Sequence, residues 1–125
     1  MKTLLLSILL AFLTLPAHAL EIIEYKEKLV AQDKANDSVY VLHFYAEWCS
    51  VCLGQKKAMQ KLEADKNLKN LKVYLVDFDF EKKLKNEFNV ERQSTLIILR
   101  GPQEIARSLA INDKDKIAEF LRKGL

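Results

Sequence analysis

Several residue types are scarce in this chain. Its 125 residues include three glycines, two prolines, two cysteines, two histidines and one tryptophan. So little glycine and proline excludes a collagen-like repeat and argues against long flexible loops. Two cysteines cannot staple a disulfide-dense scaffold, nor can they alone fill a four-thiolate metal site. A large excess of one charge is also missing. Twenty Lys and Arg stand against 17 Asp and Glu, a formal net charge of +3. That is far below the charge of a phosphate-binding surface, so no nucleic-acid partner is expected. What remains is 50% hydrophobic and 30% charged, a globular composition of one-domain length with no repeat and no low-complexity segment.

The N-terminus carries the one long apolar run. Lys2 precedes Leu4 to Leu15, 12 residues interrupted only by Ser7 and Thr14, and Pro16 ends the run. A membrane-spanning helix needs about 20 apolar residues. Ala17-His18-Ala19 has the small-x-small form of a cleavage site. Residues 1–19 are therefore expected to be a secretory signal peptide, and an uncleaved anchor is the competing reading. Cleavage leaves a domain of residues 20–125 outside the cytoplasm, where disulfides persist. The short leader is bacterial in style, which makes the expected location periplasmic or secreted.

Along the remaining chain the pattern alternates between helix and strand. Glu21 to Asp37 reads mainly as helix, with a short strand near Leu20 to Ile23. Ser38 to Tyr45 is β-branched and aromatic and apolar on both faces, the mark of a central buried strand. Cys49 to about Ala64 is helical, with Cys52, Met59 and Leu62 on one side. Asn67 to Asn70 is a polar break. Leu71 to Phe78 is a second strand, Glu81 to Phe88 a short helix and Thr95 to Leu99 a third strand. Arg100 to Gln103 turns back into Glu104 to Leu109, a hairpin. Asn112 or Asp113 caps a last helix whose inner face is Ile117, Phe120 and Leu121. The predicted class is α/β, a central mixed sheet with helices on both faces.

Both cysteines fall in Trp48-Cys49-Ser50-Val51-Cys52, where the buried strand ends and a helix begins. Residues three apart on a first helical turn share a face, so the sulfurs can meet. Unpaired amides and the positive end of the helix dipole stabilise a Cys49 thiolate, and its pKa is expected below the free value of about 8.5. Cys52 lies one turn deeper and is expected to be more shielded. This asymmetry suits thiol–disulfide exchange: Cys49 attacks a disulfide, and Cys52 resolves the mixed disulfide. A purely structural bridge is an alternative, although so small a loop stabilises little. Zinc within one chain lacks ligands, since His43 is the only histidine after the leader, while a site shared by two chains stays open. Covalent haem attachment is excluded because Leu53, not histidine, follows Cys52.

The stretch Phe44-Tyr45-Ala46-Glu47-Trp48-Cys49-x-x-Cys52 resembles the active-site strand and helix start of the thioredoxin superfamily. The resemblance covers essentially all of residues 20–125 in element order. It implies a thioredoxin-like fold, Cys49 as nucleophile, Cys52 as resolving thiol and Trp48 as a shield, with core packing the plainer role for Trp48. Glu47 reads as a solvated charge.

Three positions depart from the family pattern. Ser94, followed by Thr95, stands where the family carries a cis-proline facing the dithiol. A non-proline cis bond costs about 3–4 kcal/mol, so a trans bond is expected there. Its hydroxyl would lie beside the sulfurs and leave the site less closed to soft metal ions; a plain strand-entry residue is the alternative. His43 stands where thioredoxins often bury an acid, and is either a proton relay for Cys52 or a satisfied core histidine. Ser50-Val51 contains no histidine to stabilise the thiolate further, which favours a reductant or exchange protein. Lys56, Lys57, Lys61, Lys66, Lys69 and Lys72 read as a solvated flank that could instead guide acidic partners.

The expected activity is that of a protein disulfide oxidoreductase acting through the Cys49/Cys52 couple. It needs no cofactor beyond that redox-active disulfide and binds no metal for catalysis. The expected partners are protein thiols and disulfides and a membrane electron donor, and the protein is expected to be a monomer. Supplying electrons to cytochrome maturation is one task open to it. The competing reading is a redox-sensitive binding module or soft-metal carrier using the same pair.

Overall fold

The computed structural model describes Ala11 and residues 19–125. The expected signal peptide otherwise lies outside the described residues. Nine elements follow in order: β1 (Leu20–Glu24), α1 (Glu27–Ala35), β2 (Val39–Tyr45), α2 (Ser50–Lys61), β3 (Leu71–Asp77), α3 (Lys82–Glu87), β4 (Thr95–Arg100), β5 (Gln103–Leu109) and α4 (Lys114–Arg122). Short 3-10 turns at Leu62–Ala64 and Lys66–Leu68 join α2 to β3. Among the described residues no helix is long and apolar enough to cross a membrane.

The strands form one sheet in the order β1-β3-β2-β4-β5. β1, β3 and β2 run parallel, and β4 and β5 are antiparallel additions. This is the mixed α/β sheet expected from the sequence. β2 occupies the centre because its residues are apolar on both sides. Tyr40, Leu42 and Phe44 pack under α1 and α3, with Val30 and Leu84. Val41 packs under α2 and α4, with Met59, Ile117 and Leu121. Side chains alternate along a strand, so His43, in step with Val41, points to the α2 side.

The strand expected near Leu20 to Ile23 is present and extends to Glu24, with Ile22 and Ile23 packing on opposite sides of the sheet; the helix expected over Glu21 to Asp37 is confined to nine residues. The polar break at 67–70 contains Leu68, which is fully buried. The turns also explain how a chain with few glycines reverses direction. Asp37, Asn70 and Asn89 take positive φ at the element ends, a conformation these short polar residues tolerate better than most.

A buried carboxylate ties α1 to the sheet. Asp33 is almost fully buried and accepts from Lys72 Nζ at 2.8 Å and from the Tyr74 hydroxyl. Lys72 and Tyr74 are two apart on β3 and so share a face. Burial, reinforced by the bond to Asp33, pushes the Tyr74 hydroxyl above its usual range. Lys72 is therefore a structural partner, and Lys56 sits over the Tyr45 ring at 5.3 Å; Lys57, Lys61, Lys66 and Lys69 are exposed as expected. Asp33→Ala removes a charged acceptor from a buried hydroxyl, and urea unfolding should register a loss of roughly 2–3 kcal/mol.

Candidate active site

The site forms where β2 ends. The amide of Cys49 donates to Ala46 O at 3.1 Å, closing the turn after the strand. Cys49 has extended backbone angles and is the N-cap of α2. Its sulfur accepts the Cys52 amide at 3.2 Å, the position where a capping oxygen normally sits. An anionic sulfur here meets an N–H donor and the positive end of the helix dipole together. The Cys49 and Cys52 Cα atoms are 5.2 Å apart and the sulfurs are joined. Cys49 keeps 6% exposure and Cys52 none, the asymmetry expected of an attacking and a resolving thiol.

Ser94 closes the site from the opposite side. Its peptide bond is trans, like the others among the described residues, and its φ is +69°. The Ser94 amide donates to Phe44 O at 2.9 Å, and its carbonyl accepts the Ala110 amide at 3.0 Å. Its hydroxyl lies 3.3 Å from the Cys49 sulfur and 3.2 Å from the Cys52 sulfur. Thr95 begins β4 and donates its hydroxyl to Arg92 O at 2.7 Å, fixing the turn that presents Ser94. Trp48 is not core: it is 63% exposed, and its indole N–H donates to Asp79 Oδ2 at 2.6 Å. With Cys49, Arg92, Gln93, Ser94 and Leu109 it lines an open groove. Glu47 is exposed.

The sequence reading missed Gln55. This side chain is fully buried and donates through Nε2 to Ser94 O at 3.1 Å and to Ile111 O at 2.8 Å. Its Oε1 faces His43 Nε2 at 2.8 Å. The signal was present: Gln55 follows Cys52 by three, on the inward side of α2, where a long polar residue needs buried partners. Carbonyl oxygens only accept, so the Gln55 amide must turn its NH2 toward Ser94 and Ile111. Its oxygen then requires a proton on His43 Nε2. His43 is thus held in one tautomer, with Nδ1 buried and without a protein partner. The donors converging beside Ser94 are two sulfurs and one hydroxyl oxygen. Among the described residues no cluster of three or more His, Cys, Asp or Glu side chains forms.

Burial pushes the His43 pKa down from 6.5 to about 4; the Gln55 bond opposes that shift, and Lys56 adds to it. The unfolded chain therefore takes up a proton near pH 6.5 that the folded chain refuses until about pH 4. Stability contributed by the neutral ring is complete above pH 6.5 and is lost as the pH falls through that window. The total is about 3 kcal/mol. His43→Gln keeps a donor for Gln55 but cannot be protonated. The parent should lose about 3 kcal/mol relative to this variant between pH 7 and pH 4, read by denaturant unfolding at each pH.

Known proteins resemble this chain in sequence and in fold. A sequence model of the family described as Thioredoxin matches residues 19–123. The thioredoxin of Chlamydia muridarum is 28% identical over 100 residues, covering 77% of this chain and 96% of that protein. Thioredoxin-1 of Drosophila melanogaster is 29% identical over 100 residues, covering 80% and 89%. Among solved structures, Trxlp from Edwardsiella tarda superposes with a TM-score of 0.75 at 32% identity, covering 80% of this chain and 97% of that one. A thioredoxin from Halobacterium salinarum gives 0.70 at 16% identity, over 86% and 92% of the two chains, a likeness of fold alone. Since the matched span takes in the paired cysteines and nearly all of the described chain, the protein belongs to the thioredoxin family and is a thiol–disulfide oxidoreductase.

Proposed function

We propose that this oxidoreductase works outside the cytoplasm, where it reduces or exchanges disulfides in other proteins and is recharged by a membrane electron donor. The observation that carries the chemistry is the Cys49 sulfur at the N-cap of α2, accepting the Cys52 amide. An edge-exposed sulfur in that position is stabilised as a thiolate and can reach a substrate disulfide. Cys52, fully buried one turn on, meets the first sulfur rather than a second substrate. The open groove beside Cys49, floored by Ser94 and walled by Trp48 and Leu109, suits an extended polypeptide better than an enclosed small molecule. The support for export is the apolar leader ending at Ala17-His18-Ala19.

Electrons move in two steps. The Cys49 thiolate attacks one sulfur of the substrate disulfide; that bond breaks, and its electron pair leaves on the other substrate sulfur, which takes up a proton. Cys52 then loses its proton and attacks the Cys49 sulfur. The mixed disulfide breaks and releases the second substrate thiol. The substrate gains two electrons and two protons, and the cysteine pair is left oxidised. Supply of electrons to cytochrome assembly is one use of such a carrier.

An insulin-reduction assay driven by dithiothreitol tests the chemistry. The parent should accelerate turbidity well above dithiothreitol alone, and Cys49→Ser should return it to that background. Cys52→Ser should instead accumulate a covalent adduct with substrate, seen as added mass that reductant removes. A parent without turnover but with tight copper or zinc binding by the pair would favour the soft-metal carrier. Export is checked by expressing the full chain in a bacterium and sequencing the N-terminus of the protein recovered from the periplasm. That protein should begin at Leu20, and a chain that keeps residues 1–19 and stays in the cytoplasm would refute this placement.

A further inference from the structure

The Ser94 hydroxyl is within hydrogen-bonding distance of both reacting sulfurs, at 3.3 Å from Cys49 and 3.2 Å from Cys52. A hydroxyl has one proton to donate. In the oxidised pair it faces two neutral sulfurs, which are weak acceptors. In the reduced pair one sulfur is an anion, and a charge-assisted bond is roughly twice as strong as a neutral one. The hydroxyl therefore favours the reduced, ionised state over the oxidised state. Its near-equal distances also let the same proton serve either sulfur without moving the backbone.

That placement is maintained against a conformational cost. Ser94 holds φ at +69°, a region that non-glycine residues seldom occupy. Three hydrogen bonds keep it there: its amide to Phe44 O, its carbonyl from the Ala110 amide, and its carbonyl again from Gln55 Nε2 at 3.1 Å. Gln55 is itself fixed by Ile111 O and by neutral His43. Phe44, Ser94, Gln55 and His43 are all buried, which limits competition from water for the bonds among them.

We propose that Ser94 is a catalytic hydroxyl of this reaction: it donates to the Cys49 thiolate of the reduced protein and passes that bond to Cys52 when the latter becomes the attacking thiolate, while Gln55 is the positioning residue that holds Ser94 at both sulfurs. This deepens the oxidoreductase reading, and its consequence is a weaker reductant. Stabilising the thiolate stabilises the reduced pair, so the hydroxyl makes the pair hold its electrons more firmly. The charged side chains nearest the groove, Arg92 on one wall and Glu47 and Asp79 across Trp48, are unchanged in the variants below.

The test compares the parent with Ser94→Ala, Ser94→Gly and Gln55→Met. Glycine accepts a positive φ without strain, so its variant folds even if alanine disturbs the turn. Two readouts apply to each protein: the Cys49 titration followed by thiolate ultraviolet absorbance, and the equilibrium of the pair with glutathione. Both Ser94 variants should raise the Cys49 midpoint by about one pH unit, a tenfold change in ionisation. They should also shift the glutathione equilibrium roughly tenfold toward the disulfide, which is about 30 mV more reducing. Gln55→Met should move both in the same direction by less. If the midpoint and equilibrium of both Ser94 variants equal those of the parent, the hydroxyl has no such role. Insulin turnover by the parent separates the two proposals. Turnover with unmoved midpoints sinks the Ser94 assignment alone, and moved midpoints without parental turnover uphold it while sinking the substrate reading.

Discussion

The hydrogen bond from the Ser94 amide to the Phe44 carbonyl is the interaction on which the working end of the molecule depends. It extends the β2–β4 pairing one step beyond Thr95, which pairs with Phe44. Through it, the end of the central strand and the start of its antiparallel neighbour are held at a fixed separation. Cys49 is delivered by the first and Ser94 by the second. Without this hydrogen bond, the backbone ladder would end at the Phe44–Thr95 pair, one residue short of Ser94. The long-range order of the sheet is thereby converted into the local geometry of two sulfurs and a hydroxyl.

The same economy shows in the layer beneath. β2 is covered on both faces, and each face has its own set of helices. One face is wholly apolar along Tyr40, Leu42 and Phe44 apart from the Tyr40 hydroxyl, which finds Gly101 O at 2.8 Å. The other changes character along its length, from Val41 in the core to His43 and Tyr45 below the reactive turn. On this face α2 supplies Gln55 to meet His43 Nε2, while the Tyr45 hydroxyl is buried without a protein partner. A buried polar group without such a partner costs free energy, so the location of Gln55 follows from that of His43.

The residues that were legible from the sequence are those whose placement is local or periodic. The buried character of β2 followed from eight consecutive residues, and the cap position of Cys49 from its place at a strand-to-helix junction. The inner face of Ile117, Phe120 and Leu121 was equally plain, and of the two capping candidates, Asn112 and Asp113, the structure selects Asp113. Strand β1 was harder, because five residues give alternation little room and the flanking glutamates and lysines look helical. Gln55 was missed because its three partners come from β2, the turn before β4 and the segment before α4, separations that periodicity does not reveal. Ser94 was found by its position in a family pattern, yet neither its positive φ nor its reach to both sulfurs could be read from neighbouring letters. For Trp48 only the plainer alternative, core packing, gives way, since its ring lies in the open with the indole tied to Asp79.

His43 has one more effect, on kinetics. It is the one imidazole among the described residues, and burial keeps its ring uncharged well below neutrality. Histidine is ordinarily the side chain that gains or loses charge between pH 5 and 8. Here that source of ambiguity is removed. An inflection of the reaction velocity within that interval therefore does not come from the His43 ring, which leaves the two sulfurs as the side chains of the site to be tested for it.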